Sequence, residues 1–212
     1  MKNEETTPIS TTDEEFNHFF DDVLKRVPKK YAKTIKKSLS KTQIKAEELL
    51  KENAQKFDSI FDNFLIGVDR DVRKKCHQTI HFASLSAAII GLSPIPFSDA
   101  VLLVPVQLAM MTRLHRIFGT NWTEGVAHGL AKELVVVGLG KSAVGNILKF
   151  IPAVGTVTGG IINASVASAI TESLGWVTVK MLNDGEDIFS EVMSFKGQFN
   201  ALFSALSTKG KK

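Results

Sequence analysis

Residues 134–142 read LVVVGLGKS, a β-branched run entering Gly-Leu-Gly-Lys-Ser, the residue types with which a phosphate loop cradles a nucleotide. The pattern GxxxxGK[ST] needs its first glycine five positions before Gly140, and Val135 stands there. Valine resists the backbone conformations in which successive N–H groups wrap a phosphate. No Asn-Lys-x-Asp for reading guanine and no Asp-x-x-Gly for a magnesium-linked switch accompanies the stretch. The expectation is therefore a helix junction, with GLAKELVVVGLG ending one buried helix before the next apolar one begins.

Three further groups could do chemistry. His77 and His81 stand one helical turn apart, the spacing at which two imidazoles share a metal, with Cys76 adjoining. Cys76 projects about 100° away from His77 on a helix, and no carboxylate falls at a spacing fit for a third ligand. Partly buried or interfacial histidines are expected, with no metal and no other cofactor. Asp99, in Pro-Phe-Ser-Asp, reads as a helix cap and first-turn acid in preference to a lone functional carboxylate. No Ser/His/Asp or Cys/His set with a recognisable motif occurs, so no catalytic residue and no enzyme activity is expected.

The elements that must position these residues follow from charge and period. The 212 residues are 44% apolar and 23% charged, with mean hydropathy just above zero, and the two kinds are segregated along the chain. Residues 1–22 carry a net charge of about −6 and residues 25–56 about +8; from His81 onward charges become sparse. The acidic, polar start lacks the pattern of a secretory signal, and one cysteine excludes an internal disulfide framework and fits a reducing compartment. Residues 1–12 read as a disordered acidic tail. A first helix, capped at Thr11, Thr12 or Asp13, carries Phe16, Phe19, Phe20 and Leu24 and ends before Pro28. A second runs from about Lys29 to Asn63, with Tyr31, Ile35, Leu39, Ile44, Leu49 and Leu50 at helical spacing between lysines.

That lysine face, with Lys29, Lys30, Lys33, Lys36 and Lys37 as its candidate contacts, fits either a solvated amphipathic arm packed on one side or a cationic surface against anionic phospholipid. Nucleic acid is not expected. The bases are almost all lysine, and no aromatic residues interleave for stacking.

A helix over about Asp69–Ile90 leads into an apolar hairpin whose turn, GLSPIPFSD, places Gly91 to end one arm and Ser98 or Asp99 to cap the next; Pro94, Pro96 and Phe97 at the tip are candidate membrane or partner contacts. Neither arm reaches the ~20 apolar residues of a spanning helix. Basic residues flank both outer ends, so on a bilayer the hairpin would form a wedge from the cytoplasmic face; in a soluble bundle it would form core. Ala83, Ala87, Ile90, Val101, Leu108 and Met111 face lipid in the first case and other helices in the second. Pro105 is expected to kink the second arm. In the next apolar block, residues 150–171, Gly155 and Gly159, and Gly160, Ala164 and Ser168, recur four apart, a spacing that lets two helix backbones approach closely. A last amphipathic helix over about Asp187–Leu206 carries Ile188, Met193, Phe195, Phe199, Leu202, Phe203 and Leu206.

Two blocks, IIGLSPIPFSDAVLLVPVQLAMMTRLHRIFG (89–119) and ILKFIPAVGTVTGGIINASVASAITESLG (147–175), resemble the YcjF-type domain of unknown function. The matching positions are Pro94 to Asp99, then Pro105, Gln107 and Met110, then Ile151, Pro152, Gly155, Asn163, Ala164, Leu174 and Gly175. The resemblance covers roughly residues 77–182. It implies a hydrophobic, membrane-associated helical domain, found alone or fused after Era-like or dynamin-like GTPase domains, with no catalytic residues to carry over. The 76 preceding residues are too few and wrongly composed for such a GTPase, so any GTPase is a separate partner.

The expected fold is all-α: a compact bundle of hydrophobic helical hairpins (77–182) preceded by an amphipathic, lysine-rich helical arm (13–76) and followed by a C-terminal amphipathic helix and basic tail (183–212). The expected function is that of a non-enzymatic, membrane-associated adaptor or effector working with a separate GTPase at the cytoplasmic membrane face, an anionic membrane surface being the first partner. A soluble module binding an acidic partner and a membrane-disrupting effector are the alternatives. The oligomeric state is left open, a homo-oligomer included.

Overall fold

The computed structural model describes residues 11–95, 102–120, 159–186 and 191–208. Within them the chain is helical, with no strand, so the fold is all-α as expected. The LVVVGLGKS stretch, Pro96, Phe97, Ser98, Asp99, Val101 and Gly155 lie outside the described residues.

Helix α1 (Thr11–Arg26) opens with Asp13 and Glu14 and closes with Lys25 and Arg26, each sign at the end the helix dipole favours. Its Thr11 and Thr12 are helical, although the sequence pattern places them in the tail. Phe16, Phe19, Phe20, Val23, Leu24 and Val27 recur at three- and four-residue steps and are buried. Phe16 stacks on Phe20 at 5.7 Å between ring centroids and meets Phe82 edge-on at 5.8 Å. Pro28 breaks the ladder, and its carbonyl accepts the first bonds of the next helix from the Tyr31 and Ala32 N–H groups.

Helix α2 (Lys29–Phe64) buries Ile35, Thr42 and Ala46, with Tyr31, Ala32, Leu39, Leu49 and Leu50 half-buried beside them. Gly67, at φ +92°, makes the turn that follows. Asp69 then caps α3 (Arg70–Leu92), its carboxylate accepting from the N–H groups of Asp71 and Val72. The arm boundary drawn after residue 76 thus falls inside α3, which continues without a break from its basic first turns into a core segment buried without interruption from Phe82 to Gly91.

Helix α4 (Val104–Ile117) starts after Leu103, which makes no side-chain capping bond. Pro105 lies in its first turn, where its missing N–H removes no helical bond. The kink expected there does not arise, because the helix begins just before the proline and not turns earlier. Helix α5 (Gly159–Asn183) is apolar on all sides and buried on most of them. After Gly185, at φ +73°, α6 (Val192–Thr208) turns Phe195, Phe199 and Leu202 inward; Met193, two residues off that stripe, is 79% exposed.

At the centre α3 packs along α5, its most extensive partner; α2 and α4 flank the pair, α1 lies over α3 and α4, and α6 packs on α5. Where α3 and α5 cross, a Cβ built on Gly91 would stand 2.7 Å from the Ala164 Cα, so the two backbones touch with no side chain between them. Gly160, one turn before Ala164, faces Leu92 across an ordinary van der Waals gap. Gly175 gives Ile80 and Met110 room in the same way. The hydroxyls this core contains are largely spent on their own helices. Ser86 donates to the Phe82 carbonyl at 2.8 Å, Thr112 to Leu108 and Thr178 to Leu174 at 2.7 Å.

Candidate functional site: a lysine face and a basic cleft

The outer side of α2 is the first candidate surface. Lys29, Lys30, Lys33, Lys36 and Lys37 are all exposed, as are Lys41, Lys45 and Lys51. At 3.6 residues per turn these side chains fan over the half of the helix opposite Ile35, Leu39 and Ala46. Ile44, placed by its spacing with the inner residues, instead sits in the middle of the lysines at 61% exposure. An apolar side chain ringed by cations is thus held out to solvent. Lys36 pairs with Asp21 of α1 at 3.1 Å, and the Lys30 ammonium lies 4.4 Å from the Tyr31 ring centre. The other three of the five candidate lysines point outward free of ion pairs among the described residues.

The hairpin residues resolve differently. Ala83, Ala87, Ile90, Leu108 and Met111 are buried among helices, because α3 and α4 give their apolar sides to α5, α2 and α1. Pro94 is exposed at the edge of the described turn. Of the small-residue positions, Gly159 opens α5, while Gly160 and Ala164 lie along its crossing with α3.

Among the described residues no group of three or more metal-ligating side chains comes together, around His77 and His81 or elsewhere. The His77 ring lies 5.7 Å from the Trp176 ring centre. Partial desolvation, then the neighbouring His77, holds His81 below its ordinary value, with Glu47 opposing. Cys76 is fully buried, and burial pushes its thiol up to about 12, so it is a packing residue.

A second basic surface is not foreseen in the sequence pattern. α1, α3 and α4 enclose a cleft of about 590 Å³ whose walls include His18, Asp22, Arg26, Lys75, Arg113 and Arg116. Arg113 is its fixed member: the guanidinium lies 4.6 Å over the Phe19 ring and 3.9 Å from Asp22 Oδ2. Burial lowers the Arg113 pKa from its ordinary value; Asp22 opposes this and Arg116 adds to it by repulsion. In the sequence Arg113 and Arg116 read only as the basic flank of the hairpin, since nothing local joins them to residues 18–26 and 75.

No described helix is long and apolar enough to cross a membrane. Over 110 residues the chain is 30% identical to "Magnetosome membrane protein 22" of Magnetospirillum gryphiswaldense, an alignment covering 50% of this chain and 56% of that protein. The chain thus spans about half the length of this curated relative. No solved structure matches it. Residues 53–204 match a family described as a domain of unknown function, DUF697. The match reaches from the second half of α2 into α6, takes in both blocks on which the resemblance rested, and leaves α1 and the whole lysine face, Lys29 to Lys51, outside. Covering well over half of the sequence, it shows that the chain belongs to the DUF697 family of domains of unknown function.

Proposed function

We propose that this protein is a non-enzymatic helical domain that docks peripherally on an anionic membrane surface through the lysine face of α2, at the cytoplasmic side, as an adaptor or effector for a separate GTPase. One observation carries the docking: exposed lysines surround the exposed Ile44 on a helix whose opposite side is buried. Lysines near an anionic leaflet each contribute about 1 kcal/mol, and a central apolar side chain adds a small insertion term. The name of the magnetosome membrane relative points the same way. Attachment through the apolar hairpin has less support, because its described apolar residues are already packed. The GTPase rests on the family resemblance alone.

The test is co-sedimentation of the full chain with vesicles of phosphatidylcholine, with and without phosphatidylserine, across a salt series. Binding is expected only to the anionic vesicles and is expected to fall with salt. The variant K29Q/K30Q/K33Q/K36Q/K37Q should lose it. Binding unchanged in that variant would remove the face from the mechanism, and no binding to either vesicle would leave the soluble module with an acidic partner. In cell fractions, release by salt supports the lysine face, whereas resistance to alkaline carbonate would mean inserted hairpins.

A further inference from the structure

The cleft between α1, α3 and α4 shares no residue with the lysine face. Four guanidinium or ammonium groups, Arg26, Lys75, Arg113 and Arg116, line it together with His18, against the single carboxylate of Asp22. That carboxylate is already committed: Lys25 donates to Oδ1 at 3.0 Å, and His18 and Arg113 stand 3.6 and 3.9 Å from Oδ2. Its hydrogen bond from Lys25, above all, holds Asp22 below the ordinary carboxylate range. Arg26, Lys75 and Arg116 make no ion pair among the described residues.

Why these cations gather without partners has a physical answer. Arg26 and Arg116 close the last turns of α1 and α4, where the helix dipole favours a positive charge without any carboxylate nearby. Arg113 is pinned by stacking on Phe19, an arrangement open to arginine's planar group and less so to lysine's. The result is one fixed donor, Arg113, with three exposed cations around a space of molecular size. An anion entering it would relieve their mutual repulsion and meet one donor already in place. A phosphate matches the excess: it carries between one and two negative charges near neutrality and accepts the paired N–H groups of a guanidinium. Ala109 and Ile117 supply an apolar wall beside the cations, which suits an esterified phosphate.

We propose that this cleft is a binding site for a phosphate group, borne by a lipid headgroup or by a small soluble phosphate, with Arg113 as the fixed contact and Arg26, Lys75 and Arg116 as the groups that close on it.

Amide chemical shifts of Thr79, Thr112 and Arg113 in the full chain report on the site. Titration with inorganic phosphate at constant ionic strength, chloride making up the balance, is expected to shift them saturably. Removing two of the three exposed cations in K75Q/R116Q should weaken binding at least about tenfold, the loss expected for two charge-assisted contacts, while K33Q/K37Q on α2 should leave it unchanged. Circular dichroism checks that both variants fold. Dioctanoyl phosphatidic acid below its micellar concentration separates the sources: tighter binding than inorganic phosphate assigns a lipid headgroup, and equal binding assigns a soluble phosphate. Shifts that match those in chloride alone, shifts that survive K75Q/R116Q, or saturation by polyglutamate without saturation by phosphate would each overturn the site, the last in favour of an acidic protein. Because the readout needs no vesicle, the result stands apart from whether the lysine face docks.

Discussion

α2 and α5 are the two longest helices described, 36 and 25 residues, and the more apolar of the two is the one the other helices enclose. α5 carries only Glu172 and Lys180 as charges, yet its small residues let α3 come to backbone contact and its larger ones fill the core. α2 carries nine lysines; between Lys29 and Lys51 it buries one stripe and turns the eight lysines of that stretch outward around Ile44. Apolarity alone does not distinguish a lipid-facing helix from one that other helices surround. What separates them is whether a neighbour occupies each face: α5 has neighbours on most of its sides, and α2, between Lys29 and Lys51, on one.

Four measurements would break or sharpen that contrast. The largest effect concerns Cys76, on α3 in the core. With the thiol raised from 9.0 to about 12, its thiolate fraction at pH 8 is about a thousandfold smaller than that of a free thiol. Alkylation by iodoacetamide should therefore be slow in the folded protein and normal in denaturant; a fast folded-state reaction would mean that the core is open. The sign for stability follows. The folded value lies above the unfolded one, so this group's contribution is present below pH 9 and is lost as pH rises from 9 towards 12.

Next, G91V should cost about 3 kcal/mol or more in denaturant unfolding, because its branched side chain must push apart a pair of backbones that cannot yield as a flexible side chain would. A cost below about 1 kcal/mol would show that α3 and α5 are not in contact there. D69A removes the α3 cap and should cost about 1 kcal/mol. Smallest of all, the five-lysine variant expected to lose vesicle binding should shift stability by only about 0.5 kcal/mol per site or less, with the K36Q component largest because Lys36 pairs with Asp21. A large loss would make the lysine face structural and erase its distinction from α5.

Much of the fold is legible in the sequence, for local reasons. The first helix with its phenylalanine stripe, the break at Pro28, the lysine arm and the Asp69 start all depend on residues within one or two turns of one another. The step between Gly160 and Ala164 announces a close helix approach, but not its partner: Gly91 reads as a helix terminator, and only the tertiary fold shows it inside the last turn of α3 against Ala164. Pro105 misleads because the start of α4 depends on residues that carry no capping side chain. Of the α6 set, Phe195, Phe199 and Leu202 are buried and Met193 is exposed, for a simple reason: six residues from Phe199, about 120° around the helix, Met193 cannot share one narrow stripe with it. The basic cleft is illegible because it gathers residues 18–26, 75–79 and 109–117 from three helices, and no local pattern encodes that meeting.

The contact of Gly91 with Ala164 also has a mechanical meaning. Two helices that touch backbone to backbone cannot slide or roll past each other without first separating, so α3 and α5 act as a single rigid spar. The chain leaves that spar through Gly67 on one side, towards α2, and through Gly185 on the other, towards α6, each in the left-handed backbone region. Gly67 thus sets the angle at which the lysine helix leaves the spar, and the packing of α2 along α3 and α5 holds that angle.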